Sequence, residues 1–240
     1  MRPILILRHA RTEGPGYFAN YLDARKLRWE LVRLDEGEPV PNSATSFSGL
    51  ALMGGPMSAN DDLPWIAPVL QLIRQAVQGA VPVIGHCLGG QLMSKALGGT
   101  VSRNPVKEIG WGEVEVLPGP VAYRWLGEVR AFEAFHWHGE RFTVPPGASG
   151  ILRNRWCDSQ GFVLDRHLAL QCHVEMTRDL VRDWLQGGAR EIAHSRGSPA
   201  VQDPEEIQRD LPGRIDALHK VADRLYDTWI AGIEANRGDS

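Results

Sequence analysis

Apolar and polar positions change rhythm twice along the chain. Up to about residue 100, short unbroken apolar runs alternate with stretches of helical spacing. Ile4-Leu5-Ile6-Leu7 reads as a strand buried on both faces. Residues 17–27 follow with Tyr17, Tyr21 and Leu22 on one helical face. Further strands are predicted at 30–34, at 49–53, closed by Gly54-Gly55-Pro56, and at 81–84. Helices are predicted at 63–80 and 88–97, the latter stopped by Gly98-Gly99. From Val101 the runs shorten and alternate, at 112–117, 131–135, 150–152, 162–164 and 168–172, which predicts antiparallel pairing. After Thr177 the helical period returns, with Leu180, Val181, Trp184 and Leu185 on one stripe, ended by Gly187-Gly188. A polar stretch spans 195–204. Pro212-Gly213 is expected to break any helix begun before it, leaving a last helix over 214–235 with Ile215, Leu218, Val221, Leu225, Trp229 and Ile233 at helical spacing.

This order predicts an α/β fold: a mostly parallel central sheet with flanking helices, a smaller antiparallel element and a helical C-terminal extension. A first domain is expected over 1–186 and the extension over 187–240. Composition narrows the function classes. The chain has 240 residues, 43% apolar and 23% charged, with a net charge of −3, so it has material for a core and no basic stripe for nucleic acid. No apolar run approaches the ~20 residues needed to span a bilayer, and the N-terminal run is too short for a signal peptide. Cys87, Cys157 and Cys172 cannot all pair and lack zinc-type spacing, so a cytoplasmic location is expected.

The chemistry concentrates in three segments. Val83-Ile84-Gly85-His86-Cys87-Leu88-Gly89 is a strand, a Gly-x-Cys-x-Gly turn and a helix start, the thiol form of a nucleophile elbow. Its helix N-terminus favours a negatively charged sulfur. A lone motif of this kind is as well explained by a buried cysteine before an ordinary helix. Gln171-Cys172-His173-Val174-Glu175 ends an apolar strand, and at period two His173 and Glu175 share a side, so the carboxylate can orient the imidazole. Leu52-Met53-Gly54-Gly55-Pro56 closes the third strand, where the Gly55 N–H and the N–H of Leu88 can form a two-donor oxyanion hole.

Together these segments resemble the class I, or triad, glutamine amidotransferase domain. Gly85, Cys87, Gly89 and Gln91 match its Gly-x-Cys-x-Gly-x-Gln elbow. Gln171, His173 and Glu175 match its Gln-Phe-His-Pro-Glu motif, with Cys172 and Val174 departing at the Phe and Pro positions. Glu108-Ile109-Gly110-Trp111 and residues 135–140 resemble the GMP-synthetase-like branch; the likeness covers roughly 1–186. The resemblance implies hydrolysis of a γ-glutamyl amide, L-glutamine by default, with Cys87 as nucleophile, His173 as base, Glu175 as its partner and Gln91 shaping the pocket. It implies no cofactor and no metal. The partners it implies are a small-molecule substrate and a synthetase subunit accepting ammonia. A stand-alone hydrolase of γ-glutamyl peptides or conjugates and a non-catalytic binding protein are the alternatives.

Two signals compete. Leu7-Arg8-His9-Ala10-Arg11-Thr12-Glu13 resembles the Arg-His-Gly-x-Thr motif of histidine phosphatases, but Ala10 replaces its glycine and that reading leaves the elbow unexplained. His136-x-His138 places two metal-ligand side chains on one strand face without specifying a third, so a structural or pocket-lining role is expected.

Overall fold

The computed structural model describes residues 2–235. Five strands, β1 (Ile4–Arg8), β2 (Trp29–Arg33), β3 (Gly49–Leu52), β4 (Val83–His86) and β9 (His167–Leu170), pair in parallel in the order β2-β1-β3-β4-β9. Beyond β9 the same sheet continues antiparallel through β8 (Gly161–Leu164), β7 (Ser149–Arg153) and β5 (Val101–Val116), with β6 (Ala131–Phe142) paired to β5. The antiparallel runs therefore extend the central sheet instead of forming an element of their own.

The unbroken apolar runs mark strands covered on both faces. Ile4 and Ile6 pack into one cluster with Phe18, Tyr21 and Leu22 of α1 (Gly16–Ala24), whereas Leu5 and Leu7 pack on the other side with Val69, Leu72 and Ile73 of α2 (Ile66–Gln78). Leu92 and Met93 of α3 (Leu88–Ala96) belong to this second cluster. The predicted 112–117 and 131–135 runs are parts of longer strands. β5 is 16 residues long, and its pairing with β6 shifts register between Arg103 and Glu108. Pro105 lies inside that shift, where it removes a ladder donor.

The C-terminal segment shares this core. After α4 (Pro120–Leu126), α5 (Arg178–Gly187), α6 (Ala189–Ser195) and α7 (Pro204–Gln208), the 25-residue α8 (Leu211–Ala235) packs on α1, α4, α5 and β6. The helix begins three residues before the expected Arg214, because Pro212 and Gly213 are taken into its first turn, where a missing N–H leaves nothing unsatisfied. The polar stretch 195–204 hides a two-residue strand, β10 (Ala200–Val201), parallel to β5. Tyr17 and Tyr21 donate hydrogen bonds to Asp223 and Asp227 of α8 at 2.7 and 2.6 Å. Trp229 is fully buried, set against Phe18 and over Gly49, where a Cβ would come within 2.7 Å of the indole. Truncating Trp229 to Ala should therefore lower unfolding free energy by about 3–5 kcal/mol in a denaturant titration. A loss below about 1 kcal/mol would show that α8 does not stabilise the sheet.

Candidate active site

Strand β4 ends at His86 and α3 starts at Leu88, so one residue must turn the chain. Cys87 makes that turn at φ 51° and ψ −108°, a strained conformation for a residue with a side chain. The crossing is tight: a Cβ on Gly85 would lie 2.5 Å from the Gly89 carbonyl carbon, and one on Gly89 would lie 2.2 Å from the Leu52 oxygen. The Cys87 N–H donates to the Leu170 carbonyl at 2.8 Å, tying the elbow to the end of β9.

The chain beyond β9 brings His173 to the same edge. Its Nδ1 is 2.6 Å from Glu175 Oε1, and both side chains are buried. Burial alone would lower the imidazole pKa, but the neighbouring Glu175 carboxylate and the Cys87 sulfur raise it well above its ordinary value. Burial would likewise raise Glu175, yet the facing imidazolium holds it down at about 2. The backbone of His173 is clipped to Phe135 of β6, accepting and donating at 3.4 and 2.8 Å. The Trp184 indole of α5 stands perpendicular to the His173 ring, at a 4.8 Å centroid distance.

Gln91 is buried at the wall of the same cavity and donates to Gln171 Oε1 at 3.1 Å, and Gln171 Nε2 lies 3.5 Å from Cys87 Sγ. Gly55 and Leu88 lie side by side, a Cβ on Gly55 falling 2.7 Å from Leu88 Cδ2. Cys87, Gln91, Gly55 and Trp184 line one cavity of about 1240 Å³, larger than the roughly 300–1,000 Å³ of ordinary small-molecule pockets. Part of its wall comes from the C-terminal segment, through Gly188, Glu191 and Ser198.

Sequence reasoning missed two acidic residues. Glu13, in the loop after β1, lines the cavity, and its carboxyl group makes no hydrogen bond or ion pair with the described residues; burial pushes that carboxyl up to about 7. A Cβ on Gly54 would meet Glu13 Oε2 at 2.1 Å and His173 Cε1 at 3.3 Å, so the carboxylate and the imidazole meet across that glycine. The signal available in the sequence was an acidic residue after a strand, at the sheet's carboxyl edge. Glu108 on β5 is the third ligand-type side chain beside His136 and His138 that strand spacing alone did not specify. His9, by contrast, is fully buried with Nδ1 on the Met53 carbonyl, closed off from the phosphoryl chemistry of the competing motif.

The sequence matches the family "Glutamine amidotransferase class-I" over residues 17–181. The fold is similar to the crystal structure of a glutamine amido transferase from Methylobacillus flagellatus, with a TM-score of 0.95 and 45% identity over 97% of this chain and 95% of that one. Among curated proteins, a GMP synthase of Aeropyrum pernix is 34% identical over 82% of this chain, which spans only 36% of that protein. The gamma-glutamyl peptidase 4 of Arabidopsis thaliana is 24% identical over 80% of this chain and 81% of its own.

The three cysteines differ in their surroundings. Cys157 and Cys172 are fully buried, and burial pushes the first thiol up to about 12 and the second higher still. Only Cys87 lines the cavity. A glutamine-like diazoketone should label the folded protein once, at Cys87, when mapped by peptide mass spectrometry. Labelling mainly at Cys157 or Cys172 would remove the sulfur of Cys87 from the chemistry.

Proposed function

The chain belongs to the class-I glutamine amidotransferase family, and from that premise we propose that it hydrolyses a γ-glutamyl amide through a thioester on Cys87. The observation that carries the reading is the buried His173–Glu175 pair at 2.6 Å on the sheet edge where Cys87 turns. The Cys87 thiolate attacks the γ-carbonyl carbon. The resulting oxyanion accepts hydrogen bonds from the N–H groups of Leu88 and Gly55. The His173 imidazolium gives its proton to the departing nitrogen as the C–N bond breaks, releasing ammonia from a primary amide. Water then attacks the thioester carbonyl, His173 takes its proton, and the thiolate leaves as glutamate forms. Gln91 and Gln171 hold the thiol side of the pocket. The unpaired carboxylate of Glu13 supplies the counter-charge for the substrate's α-ammonium group.

L-Glutamine is the simplest substrate, with the ammonia passed to a synthetase partner. The cavity favours a second reading. Its volume and the wall added by Gly188, Glu191 and Ser198 suit a γ-glutamyl amide whose leaving nitrogen carries an amino acid or a larger group. That reaction needs no synthetase. The three unpaired cysteines suit a reducing cytoplasm, and no helix among the described residues is long and apolar enough to cross a membrane.

Release of glutamate from L-glutamine and from γ-glutamyl dipeptides separates the two readings: a higher kcat/KM for the dipeptides supports the conjugate hydrolase, and no release from any γ-glutamyl amide overturns both. Glu175→Gln should lower kcat by about 100- to 10,000-fold with little change in melting temperature, since an imidazole without its carboxylate loses its proton instead of remaining a buried lone charge. Near-normal turnover would remove Glu175 from the mechanism. Glu13→Gln should raise KM about 10- to 100-fold, the worth of a charge-assisted hydrogen bond, and should have no effect on a substrate lacking the α-amino group. Equal losses on both substrates would assign Glu13 a different task.

A further inference from the structure

Strand β6 carries His136 and His138 two residues apart, and bulged β5 lays Glu108 against both. All three are buried, at 2% exposure for His136 and Glu108 and 5% for His138. His138 Nδ1 lies 3.0 Å from the Glu140 carbonyl oxygen, which can only accept. Nδ1 therefore carries the proton of the neutral ring, and the Nε2 lone pair points inward, 3.4 Å from Glu108 Oε1. His136 Nδ1 stands 3.8 Å from Glu108 Oε2, beyond hydrogen-bond reach, and neither ring nitrogen of His136 has a hydrogen-bond partner among the described residues. The amides of Asn154 and Gln160 donate to the two carboxylate oxygens and fix their direction. Gln160 Nε2 also lies 3.5 Å from His138 Nε2, a long contact, so His136 is the ring left without any partner among the described residues. One divalent cation satisfies all three.

We propose that Glu108, His136 and His138 bind a single divalent transition-metal ion of the Zn²⁺ type, at a site distinct in its residues from Cys87, His173 and Glu175. Two imidazoles and one carboxylate suit a borderline ion, not Mg²⁺ or Ca²⁺. One donor atom from each residue lies within 4.8 Å of the others, and the two carboxylate oxygens of Glu108 stand 3.4 Å from His138 and 3.8 Å from His136 respectively. A tetrahedral ion with ligands at about 2.1 Å needs separations of roughly 3.4 Å, so small ring rotations complete the fit. The Glu140 carbonyl behind His138 and the amides behind Glu108 are the outer contacts that orient metal ligands. His138 reaches the wall of the large cavity, which gives an entry path. An ion there would tie β5 to β6 at the edge of their register shift and steady Phe135, whose backbone holds His173.

The test uses the full chain carrying Cys87→Ser, so that the cavity thiol cannot bind zinc. After stripping with EDTA it is titrated with ZnCl₂ in competition with a chromophoric chelator. One ion per chain is expected, with a rise in melting temperature that MgCl₂ does not reproduce. Adding Glu108→Gln or His136→Gln should weaken Zn²⁺ at least about 100-fold. Where those variants do not fold, Co²⁺ bound to the Cys87→Ser chain decides: visible d–d bands without thiolate charge transfer are expected of two imidazoles and a carboxylate. Zero stoichiometry, unchanged affinity in Glu108→Gln, or a cobalt spectrum of thiolate character would overturn the site.

Discussion

Cys87 is held at a positive φ between a strand and a helix, and the rest of the architecture is arranged to keep it there. Such a conformation costs on the order of 1–3 kcal/mol and survives only where its surroundings overdetermine it. Here they do so through contact distance. Gly85 against Gly89, Gly89 against Leu52 and Gly90 against Leu170 each leave no room for a Cβ, so α3 lies directly on the ends of β3, β4 and β9. The hydrogen bond from the Cys87 N–H to Leu170 makes the same β9 that carries the chain toward His173 also fix the sulfur's backbone. Cys87 and His173 are thus positioned by a shared strand end and not by two independent loops.

The charge at this edge is balanced between buried side chains. Glu175 and His173 are both buried, and each shifts the other toward its ionised form against the pull of burial. Such a pair contributes little net stability, because desolvation offsets most of its attraction. Its effect is orientation: Nδ1 is committed to Glu175, so the opposite ring edge is left for chemistry. The scaffold on either side restricts the ring further, Phe135 through the backbone and Trp184 through its indole face.

The parallel half of the sheet was legible because strands covered on both faces must be apolar at every position, as in Ile4-Leu5-Ile6-Leu7. The Cys87 turn and the His173-x-Glu175 pair were legible for a related reason, since both depend on spacing within one short segment. What escaped depends on partners distant in sequence. β10 is two residues at a sheet edge and has no periodicity to read. The full length of β5 was hidden by Pro105 and by polar residues that face partners on β6 and β7. Pro212 reads as a breaker inside a helix and as neutral in a first turn, and only the packed position of α8 separates the two. Glu13 and Glu108 are single acidic residues whose neighbours come from other strands.

The C-terminal helix reaches the site by a route that the sequence pattern alone could not suggest. Its stripe through Leu218, Leu225 and Trp229 fills the face of the sheet that β1 exposes through Ile4 and Ile6. On that same stripe Tyr226 is buried, with its hydroxyl 3.3 Å from Nε2 of His86, the residue immediately before Cys87. Burial holds His86 below its ordinary pKa while the Glu175 charge pulls the other way, and the Tyr226 hydroxyl gives the buried ring a polar partner. The side chains under the elbow are therefore a polar layer, Tyr226, His86 and Glu175, inside an otherwise apolar cluster. A polar layer in such a place specifies one register for the helix that covers it, because a slip of α8 by one turn would bury the His86 and Tyr226 polar groups without each other. Packing of the tail and placement of Cys87 are in this way one constraint.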